Sequence, residues 1–360
     1  MRISPVQWLF LFIPIAFVLE RMHVPAPLVF FSAALAIVPI ATLIVKATEQ
    51  IATRTGDAIG GLLNATFGNA PEIIISVVAL RAGLHEMVLA SLAGAILANL
   101  LLALGLAFFL GGLRHHYQDY NPLAGRVYAS MMFLSVVSLA APGAFSRIVS
   151  ADIAVVGQST LNLGLAVLLL VAYGLYLVYM LRTHPELFKS AEGDAASHEA
   201  GPAWSIPRAA ATLVGASALA AWMSEILVGA AEATGKSLGM TETFIGIVFL
   251  AIVGGAAESG SAIAMARKNR MDLSLGIAMG SCIQIALFVA PLLVILSLFL
   301  TPEPFQLAFN RGEMSALFCA VLIGALVAGD GRSNWFKGVQ LLTVYGILAM
   351  LFYFMPEVRP

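Results

Sequence analysis

Apolar stretches long enough, or nearly so, to cross a lipid bilayer follow one another along this chain of 360 residues. A membrane-spanning helix needs about 20 consecutive mainly apolar residues. Eleven such stretches can be counted, over roughly 6–19, 27–45, 58–80, 85–111, 124–142, 157–181, 208–231, 242–266, 273–300, 312–329 and 335–355. Several carry internal Gly, Pro or Asn, so breaks are expected within them. With 60% hydrophobic and 11% charged residues, the chain has too little polar surface to coat a water-facing globule, where about 25% charged is usual. The predicted fold is therefore all-α and polytopic.

Composition also excludes partners. A formal net charge of −1 offers no basic face for nucleic acid. Cys282 and Cys319 lie in separate apolar runs and form neither a disulfide framework nor a metal-binding spacing. The first run follows a single basic residue, Arg2, and no small-residue cleavage pattern succeeds it. It reads as a first membrane helix rather than a removed leader. His198-Glu199 opens a zinc-protease-like motif, but Pro202 stands where the second ligand is needed. No enzyme activity and no resident cofactor are expected.

The longest polar gap, Arg182 to Pro207, divides the chain. Loop charge then gives orientation. One side receives Arg2, Lys46, Arg54, Arg114, Arg126, Arg182, Lys189, Arg208, Arg267, Lys268, Arg270, Arg332 and Lys337. The other receives Arg21, Arg81, Arg147, Lys236, Arg311 and Arg359. The positive-inside bias puts the N-terminus in the cytoplasm and the C-terminus outside.

An internal repeat is visible at an offset of 186. Gly60–Glu72 reads GGLLNATFGNAPE and Gly246–Glu258 reads GIVFLAIVGGAAE, which aligns Gly68 with Gly254 and Glu72 with Glu258. Gly94 and Gly280 continue the match. Five spans per copy is an odd number, so the two copies must enter the membrane from opposite sides. The predicted organisation is an N-terminal extra helix (1–26), a first inverted repeat (27–181), a weakly acidic cytoplasmic linker (182–207) and a second inverted repeat (208–360). In such plans the binding site lies near the bilayer midplane.

Glu72 and Glu258 each fall inside an apolar span, where an ionisable group costs about 2.5–3.5 kcal/mol on insertion scales. Their neighbours are oxygen donors and backbone-exposing glycines: Asn64, Thr66, Gly68, Asn69 and Ser76 around the first, Gly254, Gly255, Ser259 and Ser261 around the second. Oxygen-only ligands suit a hard cation such as Ca²⁺, Mg²⁺ or Mn²⁺. Two close carboxylates repel each other and face desolvation, so without a cation they take up protons, and a divalent cation expels them. Asn99 and Gln284 offer amide oxygens, or serve as polar glue between helices, and Ser281 precedes Gln284. Near span ends, Glu49, Glu225, Glu232 and Glu242 are candidate relays for protons or cations, or are solvated interfacial acids.

These residues carry a family resemblance. GLLNATFGNAPE at 61–72, and VGGAAES at 253–259 followed by KNRMDLSLGIAMGSCIQIALFVAP at 268–291, resemble the two signature segments of the calcium/proton exchanger family of the cation/calcium exchanger superfamily. SEILVG at 224–229 and ATEQIA at 47–52 also resemble family segments. The resemblance implies eleven helices, with a regulatory first helix before two repeats of five. It implies central glutamates at Glu72 and Glu258, with cation contacts from Asn69, Ser281, Gln284 and carbonyls near Gly254. It also implies an acidic segment between the halves, here Glu186, Glu192, Asp194 and Glu199, and a homo-oligomer, a trimer. Gly255 and Ser259 stand where the family usually has Asn and His, Ala251 where Pro is common, and Ala95 and Ala98 where serines are typical. The expectation is an antiporter that exchanges Ca²⁺ for H⁺ by alternating access in a bacterial plasma membrane. The alternatives are proton-coupled exchange of Na⁺, K⁺ or Mn²⁺, and a passive cation channel.

Overall fold

The computed structural model describes residues 5–55, 63, 66–148, 151–188 and 204–356. Among the described residues, eight helices are long and apolar enough to cross a membrane, or nine if the bent pair Glu242–Gly254 and Ala256–Arg267 is one span. The described residues are helical, with short connections, apart from one two-residue ladder, Gln118–Asp119 against Arg332–Ser333. Two of the eleven predicted stretches fall short of that length. The first is divided into Pro5–Trp8, Leu9–Leu11 and Phe12–Arg21. In the third, the continuous helix runs over Ala70–Arg81, and residues 56–62, 64 and 65 lie outside the described set.

The chain condenses into two compact units, and both draw residues from either side of the linker. One comprises Met1–Ala95, Trp204–Ala257 and Ala349–Pro360, the other Ile96–Ala203 and Glu258–Leu348. In the first unit the long helices Ala26–Thr55 and Ile206–Leu238 pack along each other. Lipid tails are as apolar as leucine, so close packing rather than water exclusion holds such helices together. Small side chains allow it: Ala216, Ala220, Ala230 and Ala231 are buried on Ile206–Leu238, in one cluster with Phe30, Ile37, Ile40 and Ile44. The helix start is pinned outside the apolar region. The Trp204 main-chain amide donates to Gln50 Oε1 (2.8 Å), and its ring lies beneath Lys46 and Arg208.

A second contact in this unit is backbone against backbone. A Cβ on Gly94 would come within 2.2 Å of the Ile247 carbonyl oxygen, and one on Gly246 within 2.8 Å of the Met87 oxygen. Helix His85–Leu97 can therefore cross Ile245–Gly254 only because both positions lack a side chain.

In the second unit, side chains bridge helices that are distant in sequence. Asn162 Oδ1 accepts from the Leu307 amide (3.0 Å), and Gln118 Nε2 donates to the Ala266 carbonyl (2.8 Å). The Cys282 thiol donates to the Ile96 carbonyl at 3.5 Å, and these two positions are separated by the repeat offset of 186. Helix starts recur at the same spacing: Ala70 with Ala256, His85 with Met271, and Leu104 with Ala290. Each copy also widens into a π-helical turn at matching positions, Ala98–Ala103 and Ile285–Val289.

Candidate cation site

Glu72 stands in the first turn of Ala70–Arg81, set there by a break at Gly68 and Asn69. Pro71 at the helix start has no amide to leave unsatisfied and favours initiation there. Asn69 is the N-cap residue, 1% exposed, and its side chain makes no capping bond; its carbonyl accepts from Ile73 N at 3.1 Å. Glu72 is 6% exposed, and neither carboxylate oxygen has a hydrogen-bond partner among the described residues. Buried polar groups are ordinarily paired, so this carboxylate keeps hydrogen-bonding and ligating capacity that the described residues do not use. Gly254, from the far side of the linker, closes on this carboxylate: a Cβ there would lie 3.1 Å from Glu72 Cγ. The helix that brings Gly254 breaks immediately afterwards at Gly255, so backbone groups near the acid are released from the helical ladder. Ser76, one turn beyond Glu72, is buried as well.

Glu258 occupies the first turn of Ala256–Arg267, the position that Glu72 has in its own helix. It is half-buried, and both carboxylate oxygens are out of solvent. Gly255 before it is buried; Ser259 and Ser261 after it are half-buried.

Of the two predicted amides, Asn99 pairs with a serine of the other half of the sequence. Asn99 Nδ2 donates to Ser281 Oγ at 3.1 Å, and both residues are buried. That bond uses the donor end of the amide and leaves Asn99 Oδ1 without a partner among the described residues. Gln284 is half-buried and ends Met271–Gln284, at the entrance to the second π turn. Single π turns recur at functional sites, and here each adjoins an amide side chain.

The outlying acids are dispersed. Glu49 and Glu225 are exposed on the two long helices of the first unit. Glu232 is exposed and paired with Lys236 one turn on, a surface pair of small energy. Glu242 is half-buried in the first turn of Glu242–Phe244. Asn64 lies outside the described residues, as do Glu192, Asp194 and Glu199 of the linker. Within the linker, Pro185–Leu187 forms a short 3-10 turn, held by a bond from Asn121 Nδ2 to the Leu187 carbonyl. Two features were not anticipated from the sequence. The Asn99–Ser281 pairing joins residues 182 apart, and no local pattern announces it. The buried tyrosines of the second unit had a faint signal, Tyr173 and Tyr176 three residues apart within an apolar run.

A polytopic helical protein with an unpaired acid inside a broken span has the construction of a membrane transport protein rather than of an enzyme. The chain belongs to the sodium/calcium exchanger protein family, whose sequence model matches residues 25–182 and 208–354. It is 40% identical to a Ca²⁺/H⁺ antiporter of Aphanothece halophytica, over 97% of this chain and 96% of that protein. It is 39% identical to the Ca²⁺/H⁺ antiporter ChaA of Bacillus subtilis, over 95% and 96%. The structure of native YfkE has a TM-score of 0.81 at 36% identity, covering 96% of this chain and 100% of that one. At 14% identity, the structure of an H⁺/Ca²⁺ exchanger, CAX, has the same fold, with a TM-score of 0.69.

Proposed function

We propose that this protein exchanges Ca²⁺ for H⁺ by alternating access, with the cation and protons competing for Glu72 and Glu258. The observation that carries this reading is Glu72, buried with both oxygens unpartnered among the described residues and packed against Gly254 from the far half of the sequence. Its relatives named as Ca²⁺/H⁺ antiporters, matched over nearly their whole length, support the choice of ions. An empty pair of acids repels and takes up protons; Ca²⁺ on the same oxygens expels them. If access changes only when the acids are neutralised, by either ion, exchange follows without further parts. Asn69, Ser281, Gln284, Asn99, Ser259 and backbone carbonyls around Gly254 and Gly255 would complete the six to eight oxygens that Ca²⁺ takes. The two halves, 27–181 and 208–360, are inverted repeats in this reading, which the recurrence of helix starts at an offset of 186 supports. The N-terminus lies in the cytoplasm, by the distribution of loop charge.

Proteoliposomes test the proposal. An imposed pH gradient should drive radiolabelled Ca²⁺ inward against its own gradient, with Glu72→Gln and Glu258→Gln each inactive. Downhill flux alone would indicate a channel. Competition by Na⁺, K⁺ or Mn²⁺ rather than by Ca²⁺ would reassign the cation.

A further inference from the structure

In the second unit, Asn121 stands where three elements meet, between the ladder strand Gln118–Asp119 and the helix Pro122–Ile148. Its main-chain amide donates to Asp272 Oδ1 at 2.7 Å, and its carbonyl accepts from the Gly125 amide at 3.1 Å. Its side-chain Oδ1 accepts from the Leu123 amide at 2.9 Å, which satisfies a donor at the start of its own helix. Its Nδ2 donates to the Leu187 carbonyl at 3.0 Å. One residue therefore fastens the linker turn to Asp272, in the first turn of Met271–Gln284.

A second connection runs beside the first. The Phe188 ring packs edge-on against the rings of Tyr128 and Tyr179, with centroids 5.6 and 6.2 Å away. Tyr128 is buried on Pro122–Ile148, and its hydroxyl lies 3.2 Å from where a Cβ on Gly276 would be. Position 276 carries no side chain, so the hydroxyl approaches the helix backbone there. Tyr128 thus meets Phe188 with its ring and Met271–Gln284 with its hydroxyl end.

We propose that Phe188 and Asn121 are positioning residues for the cation site, holding the near end of Met271–Gln284 and through it Ser281 and Gln284. The linker turn is then a strut rather than a passive connection. Ser281 follows Asp272 by nine residues on one helix, about 14 Å along its axis, and an intact helix of that length carries a shift at one end to the other. The far end is tied by the Asn99–Ser281 bond and by the Cys282 thiol at the Ile96 carbonyl. At the near end, Asn121 and Tyr128 lead to the linker.

Calcium geometry makes the placement of that helix matter. Ca²⁺ holds its oxygens at about 2.3–2.6 Å, so a shift of Ser281 or Gln284 by a few tenths of an ångström weakens ligation. Neither Phe188 nor Asn121 touches the cation in this scheme; each acts through the helix. Their loss should therefore lower Ca²⁺ affinity and leave the number of sites unchanged. The role at the cation site rests on the antiport reading above; the seating of the helix does not.

Two measurements on the full-length protein in detergent decide the matter. Phe188→Ala removes the ring. Asn121→Ser keeps an oxygen to cap Leu123, serine being a good cap, but is too short to reach Leu187, and it repeats the test should Phe188→Ala not fold. In hydrogen exchange read by mass spectrometry, each variant should speed exchange within 271–284 about fivefold, equivalent to about 1 kcal/mol, the net worth of one hydrogen bond. Exchange within 311–328 should be unchanged. Unaltered exchange within 271–284, or an equal rise in both segments, would overturn the proposal whatever the protein transports. In equilibrium binding of radiolabelled Ca²⁺, each variant should raise Kd about fivefold with the number of sites unchanged. Glu186→Ala, an exposed change in the same turn, should alter neither measurement. An unchanged Kd, or the same rise with Glu186→Ala, would overturn the positioning role. Absence of Ca²⁺ binding by the unaltered protein would instead sink the antiport reading and the positioning role with it, and hydrogen exchange would still decide the seating of the helix.

Discussion

At the scale of single residues, the proposed site centres on the place where Glu72 meets Gly254. A methyl group on Gly254 would press on Glu72 Cγ at 3.1 Å, close enough that the side chain must shift by a few tenths of an ångström. Gly254→Ala should leave a folded protein but raise the half-saturating Ca²⁺ concentration about tenfold, since about 1.4 kcal/mol of misplacement corresponds to that factor and overpacking typically costs about 1–3 kcal/mol. Initial rates of uptake across a Ca²⁺ series would check it; an unshifted curve would remove Gly254 from the site. Both partners were legible in the sequence, because the repeat aligns Gly68 with Gly254 and Glu72 with Glu258. What the alignment could not supply was the cross-pairing, acid of one half against glycine of the other. A linear pattern relates equivalent residues and is silent on which non-equivalent ones touch. The same holds for Asn99 and Ser281. The Glu232–Lys236 pair was open to a local reading from its four-residue spacing.

Among the elements, the spans were legible as apolar runs, and their ends were not. The run read as 27–45 continues as helix through Thr55, and the one read as 208–231 begins at Ile206 and ends at Leu238. Hydrophobicity registers only the portion in lipid, whereas polar helical turns beyond it carry no such signal. The π turns at Ala98–Ala103 and Ile285–Val289 were likewise hidden, since their sequences, ANLLLA and IALFV, carry no signal that separates them from α-helix. The crossing of His85–Leu97 with Ile245–Gly254 makes a sharper claim. Gly246→Ala would set a methyl 2.8 Å from the Met87 carbonyl oxygen and 2.7 Å from Ala90 Cβ, so the helices must part. Overpacking of this kind should cost about 1–3 kcal/mol and lower the melting temperature of the detergent-solubilised protein. Gly164→Ala, where nothing lies within 4 Å, should leave it unchanged or raise it, alanine being the better helix former. Equal melting of the two variants would mean that the close approach is not made.

For the molecule as a whole, the proposed inverted repeat turns a sequence offset into a statement about sides. An odd number of spans per copy means that equivalent residues leave the membrane on opposite faces. Arg81 and Arg267 are such a pair: each is the last residue of its helix, Ala70–Arg81 or Ala256–Arg267, and they are 186 apart. Loop charge assigns Arg267 to the cytoplasm and Arg81 to the far side. The thiol background is simple to remove, because Cys282 is buried and Cys319, though exposed, accepts serine on a helix surface. In a Cys319→Ser protein, Arg81→Cys should react with a membrane-impermeant maleimide added outside intact cells. Arg267→Cys should react only after the membrane is opened. Labelling of both from one side would leave the helix recurrence as a parallel repeat. It would also remove the symmetry on which the proposed alternating exposure of two acids, one from each half, depends.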